Sequence, residues 1–120
     1  MRASAALLLL ATGGAALASG TIELDPKYES FESPAACEAA LHRRHGAALA
    51  RLAALPVRER RANRVDGLKR NGEEQLTYVE VLDLTAAVPD AIMPGSQTEE
   101  FTCRGSRLEH RFLLGGPPKP

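Results

Sequence analysis

The 120-residue sequence contains no tryptophan and few aromatic residues of any kind. Three phenylalanines and two tyrosines are its only aromatic side chains, and alanine supplies much of its apolar content. Because an alanine buries little area, a core built from these residues is modest, and a chain of this size is marginal on burial alone. A covalent link within the fold would therefore contribute a large share of its stability.

The chain also lacks the common catalytic motifs: it has no G-x-S-x-G, phosphate-binding loop, G-x-G-x-x-G turn or H-E-x-x-H helix. Its three histidines are His42, His45 and His110. His42 and His45 are three residues apart on a predicted helix, which is close enough to share a metal ion. A stable site needs further ligands, however, and the adjacent Arg43 and Arg44 oppose a cation. We therefore expect no catalytic residue, no metal and no cofactor, with a histidine-dependent hydrolase as the alternative.

Charge is nearly absent from residues 1–20, where Arg2 is the only charged side chain. An apolar run from Ala5 to Ala11 is followed by small residues and by Ala16-Leu17-Ala18, which is a signal-peptidase pattern. A transmembrane anchor is the alternative, but glycines and hydroxyl residues dilute a segment that would need about 20 strongly apolar residues. We predict that residues 1–20 are a cleavable secretory signal peptide. The protein is then secreted or periplasmic, with no transmembrane segment after cleavage.

Cysteine is scarce as well, since Cys37 and Cys103 are the only two. In a secreted chain, an even number of cysteines favours a disulfide. A catalytic thiolate or a metal ligand is the alternative, but neither cysteine lies in a C-x-x-C motif or beside a histidine. A Cys37–Cys103 bond would close a loop of about 67 residues, which the chain-entropy relation values at about 4 kcal/mol. We predict this disulfide.

Residues 34–54 have the pattern of one long helix. Ser33 can accept hydrogen bonds from the exposed amides at its start, and Pro34 suits the first helical position. The segment has no β-branched residue and is rich in alanine, leucine and arginine, and Pro56 ends the helix near Ala54. An apolar stripe at helical spacing faces the core; its members are Cys37, Leu41, Ala48, Leu52 and Leu55.

Beyond Pro56 the sequence predicts extended structure. Asn71-Gly72 is a strong signal for a two-residue hairpin turn. Pairing outward from this turn places Arg70 opposite Glu73 and Lys69 opposite Glu74, which are favourable charge pairs. The strand that follows, residues 75–84, is apolar on both faces, as expected of a central strand. Ile22 and Leu24 alternate with polar residues and suggest a short edge strand near the N-terminus.

A second hairpin is predicted around Gly105-Ser106. In this register Cys103 faces Leu108 and Phe101 faces His110, so one face of the hairpin is largely apolar. On the other face Glu100 lies opposite Arg111, which is a favourable charge pair. The remaining pairs are Glu99 with Phe112 and Thr102 with Glu109. Cys103 therefore points toward the surface on which the helix should pack.

These patterns together predict an α+β fold over residues 21–114. One long N-terminal helix packs on an antiparallel meander of three or four strands, and a single disulfide links the two layers. This element order is similar to that of cystatin-like folds, a similarity that implies nothing about activity. Residues 115–120, Gly-Gly-Pro-Pro-Lys-Pro, predict a disordered tail.

Charge is unevenly distributed along the chain, although the formal net charge is zero. Residues 43–70 include nine basic and two acidic side chains, whereas residues 73–100 include seven acidic and no basic ones. Arginine suits phosphate and carboxylate groups, so the densest basic segment is a candidate anion- or partner-binding site. The alternative is a solvated surface, partly neutralised by the first hairpin. The segment contains Arg58, Arg60, Arg61 and Arg64.

A second candidate surface is the loop of residues 85–97, which is long for a hairpin connection and carries Ile92 and Met93. The alternative is that these two side chains fold back onto the core. We expect a non-catalytic binding module that contacts an anionic envelope component or a protein partner through the basic segment, the loop or both. Nucleic acid is not an expected partner in a secretory compartment. A structural envelope protein without a discrete ligand is a further alternative.

Overall fold

The computed structural model describes residues 22–87 and 95–115. The predicted signal peptide, the candidate contact residues Ile92 and Met93, and the predicted tail beyond Gly115 lie outside the described residues. None of the described helices is long and apolar enough to cross a membrane. The described strands are β1 Ile22–Glu23, β2 Lys27–Ser30, β3 Asn63–Val65, β4 Lys69–Gly72, β5 Gln75–Asp83, β6 Ser96–Arg104 and β7 Arg107–Gly115. The described helices are α1 Pro34–Ala54, α2 Val57–Ala62 and α3 Leu84–Ala87.

The long helix α1 has the predicted bounds. The Ser33 hydroxyl accepts a hydrogen bond from the Ala36 amide at 3.1 Å, and Pro34 occupies the first helical position. At the other end, the Leu55 amide donates to the Leu52 carbonyl at 3.2 Å, directly before Pro56. The stripe faces the sheet, with Cys37, Leu41 and Ala48 buried and Leu52 and Leu55 half-buried.

All described strand pairs are antiparallel, and the sheet follows the order β1-β7-β6-β5-β3. The centre is the predicted meander of β5, β6 and β7, each nine residues long. Short segments extend both edges, because β2 also pairs with β7 and β4 also pairs with β5. The sheet is therefore wider than the three or four strands predicted, and the N-terminal edge strand that Ile22 suggested is β1.

The terminal hairpin has the predicted register throughout. Cys103 lies opposite Leu108, and Phe101 lies opposite His110. The reversal uses Gly105 at φ +61°, a left-handed conformation that glycine adopts without a steric penalty. The remaining predicted pairs are also present: Glu99 with Phe112, Glu100 with Arg111, and Thr102 with Glu109.

The first hairpin differs from the prediction. Lys69 lies opposite Thr77 and Arg70 opposite Leu76, and a bulge separates Arg70 from Gly72, so the chain reverses at residues 73–74 instead of 71–72. The observed register moves Arg70 to the face that α1 covers. There its guanidinium binds the Glu38 carboxylate through two contacts, of 2.6 Å and 3.1 Å. This bidentate pair with the helix replaces the predicted pair with Glu73.

The disulfide joins the helix to the sheet as predicted. Cys37 of α1 and Cys103 of β6 are bonded, with their Cα atoms 6.0 Å apart, and neither is exposed. The core around this bond comes from the helix stripe and the α1-facing side of the meander. The fold is thus α+β, with one long helix packed on an antiparallel sheet. The buried core cluster comprises Cys37, Leu41, Ala48, Leu76, Tyr78, Phe101, Cys103 and Leu108.

Two short helices lie where the sequence predicted extended structure or loop. The first, α2, contains most of the basic segment, and the second, α3, begins the long loop. The Asp83 carboxylate accepts a hydrogen bond from the Ala86 amide at 3.2 Å, which caps the start of α3. A capped helix of four residues is too short to show the helical spacing of apolar residues, so the sequence pattern does not reveal α3.

Candidate functional site

The basic segment folds as the six-residue helix α2 followed by β3. At the start of α2, the Arg60 amide donates a hydrogen bond to the Pro56 carbonyl at 2.9 Å. Ala62 is buried and anchors the helix, and the Asn63 side-chain amide donates to the Glu59 carbonyl at 2.7 Å, closing its last turn. With its small residue inward, α2 directs its long side chains into solvent. Arg58, Arg60 and Arg61 are all exposed.

The four candidate arginines are not equivalent. Arg64, on β3, donates from Nε to Asp66 Oδ1 at 2.8 Å and so has a carboxylate partner. Arg58, Arg60 and Arg61 form no ion pair with any described residue. Within the described part of the chain, the three guanidinium groups of α2 therefore have no carboxylate counter-ion.

Much of the remaining sequence asymmetry is neutralised inside the fold. Basic side chains from residues 43–70 reach carboxylates on other elements, as Arg70 does with Glu38 and Arg51 does with Glu80 at 3.6 Å. On the outer face of the sheet, Arg111 binds Glu100 at 3.1 Å, which is the predicted cross-strand pair. Arg43, Arg44 and Lys69, like the three arginines of α2, form no ion pair with a described residue. What distinguishes α2 is that it carries three such arginines within six residues.

The long loop begins beside the basic segment. α2 packs against α3, and α3 leads directly into the part of the loop outside the described residues. The two candidate surfaces from the sequence therefore begin at the same end of the molecule. The positions of Ile92 and Met93 on that surface remain predictions.

The three histidines have different surroundings. His42 is exposed, whereas His45 Nε2 lies 2.9 Å from the Asp66 carbonyl oxygen and the His45 ring meets the Tyr78 ring edge-on at 4.9 Å. His42 and His45 thus have different environments. Among the described residues, no group of three or more histidine, cysteine or carboxylate side chains could hold a metal ion.

His110 has the most structured environment of the three histidines. Its ring stacks on Phe101 at 4.3 Å, and Phe101 in turn stacks on Tyr78 at 5.1 Å. The Arg44 guanidinium covers Phe101 at 4.8 Å from the ring centre, which is a cation–π distance. His110 Nε2 lies 2.9 Å from Glu99 Oε1, and both side chains are partly exposed. This histidine–carboxylate pair was not predicted, although the register that opposes Phe101 and His110 was.

Burial also affects the tyrosine of this stack. Tyr78 is fully buried, and its hydroxyl donates to Glu80 Oε2 at 2.8 Å. Burial, followed by this hydrogen bond to a carboxylate, raises the pKa of Tyr78 well above its ordinary value. The phenol therefore stays protonated at neutral pH, where it acts as a hydrogen-bond donor and not as a base.

Three adjoining cavities, of about 430, 190 and 250 Å³, run from α1 along β2 to His110. We call this the α1–β2 cleft. The first two cavities share Glu29, Arg44 and Leu108, and the last two share Lys27 and His110. Charged groups of both signs line the cleft, four basic and two acidic. Its charged lining residues are Asp25, Lys27, Glu29, Arg43, Arg44 and Arg51.

Comparison with protein-family models, with curated proteins and with solved structures gives no match. The functional interpretation of this chain therefore depends on its own residues and their geometry.

Proposed function

We propose that this chain is a non-catalytic binding module of the secreted or periplasmic space, and that α2 is its contact surface for phosphate-bearing envelope components. The disulfide indicates an oxidising compartment, because such bonds are rare where thiols are kept reduced. One observation carries the proposal. Arg58, Arg60 and Arg61 are exposed within one helix and have no carboxylate partner among the described residues.

The chemistry of α2 favours phosphate groups on a surface or polymer. Each guanidinium presents several donors in a planar fork, which matches the oxygens of a phosphate. Val57, at the start of α2, is 56% exposed and places an apolar side chain beside the arginines. A basic cluster next to an apolar group is typical of proteins that contact anionic lipid surfaces.

The test is flotation with vesicles of phosphatidylcholine alone and with added phosphatidylglycerol, over a series of salt concentrations. Binding should require the anionic lipid and weaken as salt shortens the Debye length, from about 10 Å at 0.1 M to about 3 Å at 1 M. A basic residue near an anionic surface contributes about 1 kcal/mol. Replacing Arg58, Arg60 and Arg61 together by glutamine should therefore weaken binding on the order of 100-fold.

A matched control removes the same charge elsewhere. Lys69, Arg104 and Arg107 are exposed and lie away from α2, on β4 and at the turn of the terminal hairpin. Their triple glutamine variant should bind nearly as the wild type does. Soluble polyphosphate in a parallel titration distinguishes a polymer ligand from a lipid. Equal loss in both triple variants, or no binding to vesicles or polyphosphate at low salt, would reject α2 as the contact surface.

A second candidate function, a histidine-dependent hydrolase, is supported by the contact between His110 and Glu99 at the border of the α1–β2 cleft. A carboxylate that orients an imidazole can make it a general base toward water, and such a base contributes roughly 10²- to 10⁴-fold to rate. The test is hydrolysis of small chromogenic esters and phosphoesters by the wild type and by a His110→Gln variant. Equal rates in the two proteins would exclude this role for His110.

A further inference from the structure

The outer edge of β2 is unpaired within the described part of the chain and lies beside much of the exposed apolar surface there. β2 pairs with β7 on one side, and no described strand pairs with its other side. Ile22 and Leu24 are each 46% exposed, and Tyr28 is 51% exposed, all on or next to this edge. An unpaired strand edge with apolar side chains is a template for another strand.

The backbone groups available on this edge follow from the ladder with β7. The Phe31 amide donates to the Ser106 carbonyl at 2.8 Å, so Phe31 is a residue that bonds toward β7. Because hydrogen-bonding direction alternates along an antiparallel strand, Glu29 and Lys27 also bond toward β7. Tyr28 and Ser30 then direct their backbone groups outward.

Four symmetric registers would let two copies of β2 pair antiparallel, one for each residue of the strand, and charge distinguishes them. An axis at Ser30 places Glu29 opposite Phe31 of the second copy and brings no opposite charges together. A twofold axis at Lys27 opposes two lysines, and an axis at Glu29 opposes two glutamates. An axis at Tyr28 places each Lys27 opposite Glu29 of the other copy, which gives two pairs of opposite charge. Neither Lys27 nor Glu29 has an ion-pair partner among the described residues, and opposite charges facing across strands stabilise the pairing.

We propose that two copies of this chain form a twofold-symmetric dimer through β2, with Tyr28 at the axis. Tyr28 exchanges two backbone hydrogen bonds with its symmetry mate. In this register Ser30 lies opposite Pro26 of the second copy, and proline, which has no amide to donate, ends the ladder there. The two sheets become one continuous sheet. Since α2 leads into β3 at the opposite side of the sheet, both α2 surfaces remain exposed in this dimer.

The dimer is tested by sedimentation equilibrium of the purified, oxidised protein across a wide concentration range. The wild type should show a reversible doubling of mass. Lys27→Glu opposes two glutamate pairs and Glu29→Lys opposes two lysine pairs, so each should weaken dimerisation by about tenfold or more. The double swap, Lys27→Glu with Glu29→Lys, restores opposite charges and should return the dissociation constant to near the wild-type value.

A matched control and a backbone variant complete the experiment. Lys69→Glu makes the same charge change on β4, on the other side of the sheet, and should leave dimerisation unchanged. Tyr28→Pro removes the outward amide at the axis, which bonds no described residue of its own chain, and should abolish the dimer while the far-ultraviolet spectrum is retained. A wild type that stays monomeric, a double swap that does not recover, or a Lys69→Glu variant that is equally weakened would overturn the proposal.

Discussion

Breaking the Cys37–Cys103 bond should remove a large part of the stability of this fold. The bond joins positions 66 residues apart in sequence, and both sulfurs lie in the core. For a loop of this length, the chain-entropy relation gives about 4 kcal/mol. A domain of this size has a total stability of about 5–15 kcal/mol, so the bond contributes a large fraction of it.

The measurement is urea unfolding followed by circular dichroism, because the chain has no tryptophan to report by fluorescence. Oxidised wild type is compared with reduced wild type and with the Cys37→Ala/Cys103→Ala variant. The free energy of unfolding should fall by about 4 kcal/mol in both. The melting temperature should fall by roughly 15–30 °C, since 1 kcal/mol corresponds to about 4–8 °C in a domain this small.

The two perturbations control for each other. Reduction keeps the sulfur atoms in the core and removes only the covalent link, whereas the double alanine variant removes both. Close agreement between them assigns the loss to the link, and a larger loss in the alanine variant adds the cost of a packing defect. A loss below about 1 kcal/mol on reduction would refute the entropic reasoning. Two thiols that react with an alkylating reagent before any reduction would refute the bond itself.

Three further substitutions test local features of the fold. Leu41→Ala leaves a cavity in the core and should lower the free energy of unfolding by about 2–5 kcal/mol. Leu49 is exposed on the same helix, so Leu49→Ala should lower it far less. Equal losses would contradict this packing. Gly105→Ala places a side chain at φ +61° and should cost about 1 kcal/mol in urea unfolding, and a neutral result would contradict a left-handed turn. Hydrogen bonds from Arg70 lower the pKa of Glu38 in the folded state. The stability that this pair contributes is therefore fully present above the ordinary pKa of a glutamate, and it is lost as the pH falls through the lowered pKa of the folded state. Arg70→Gln should flatten this part of the acid dependence of stability, and an unchanged acid profile would contradict the pairing.

The terminal hairpin was predictable because its local and long-range signals agree. Gly105-Ser106 is the only turn signal between the two alternating segments that it joins. A shift of one residue in the pairing register would move Phe101 and Cys103 to the outer face together. The buried partner of Cys103 was also fixed, because the chain has only one other cysteine and the helix stripe carries it inward. Each of these constraints can be read within one segment of sequence.

The predicted register of the first hairpin was wrong because a residue distant in sequence decides the observed one. Asn71-Gly72 is a strong local turn signal, and the charge pairs that it implied were favourable. Turn signals and cross-strand charge pairs do not reveal the bidentate contact between Arg70 and Glu38 of α1. Shifting the register moves Arg70 to the helix face, where it also donates to the Glu73 carbonyl at 2.9 Å and steadies the later turn.

In the candidate site, the sequence revealed the cluster of arginines but not which of them are paired. The sequence identified the basic segment because the cluster is local, but it treated Arg58, Arg60, Arg61 and Arg64 as one group. Only the fold pairs Arg64 with Asp66 and leaves the other three without a carboxylate among the described residues. Segment charge measures how many cations a stretch contains, whereas binding depends on how many the fold leaves unpaired. A charge reversal at Arg64 should therefore disturb anion binding less than the same reversal at Arg60, although the two have equal weight in the sequence.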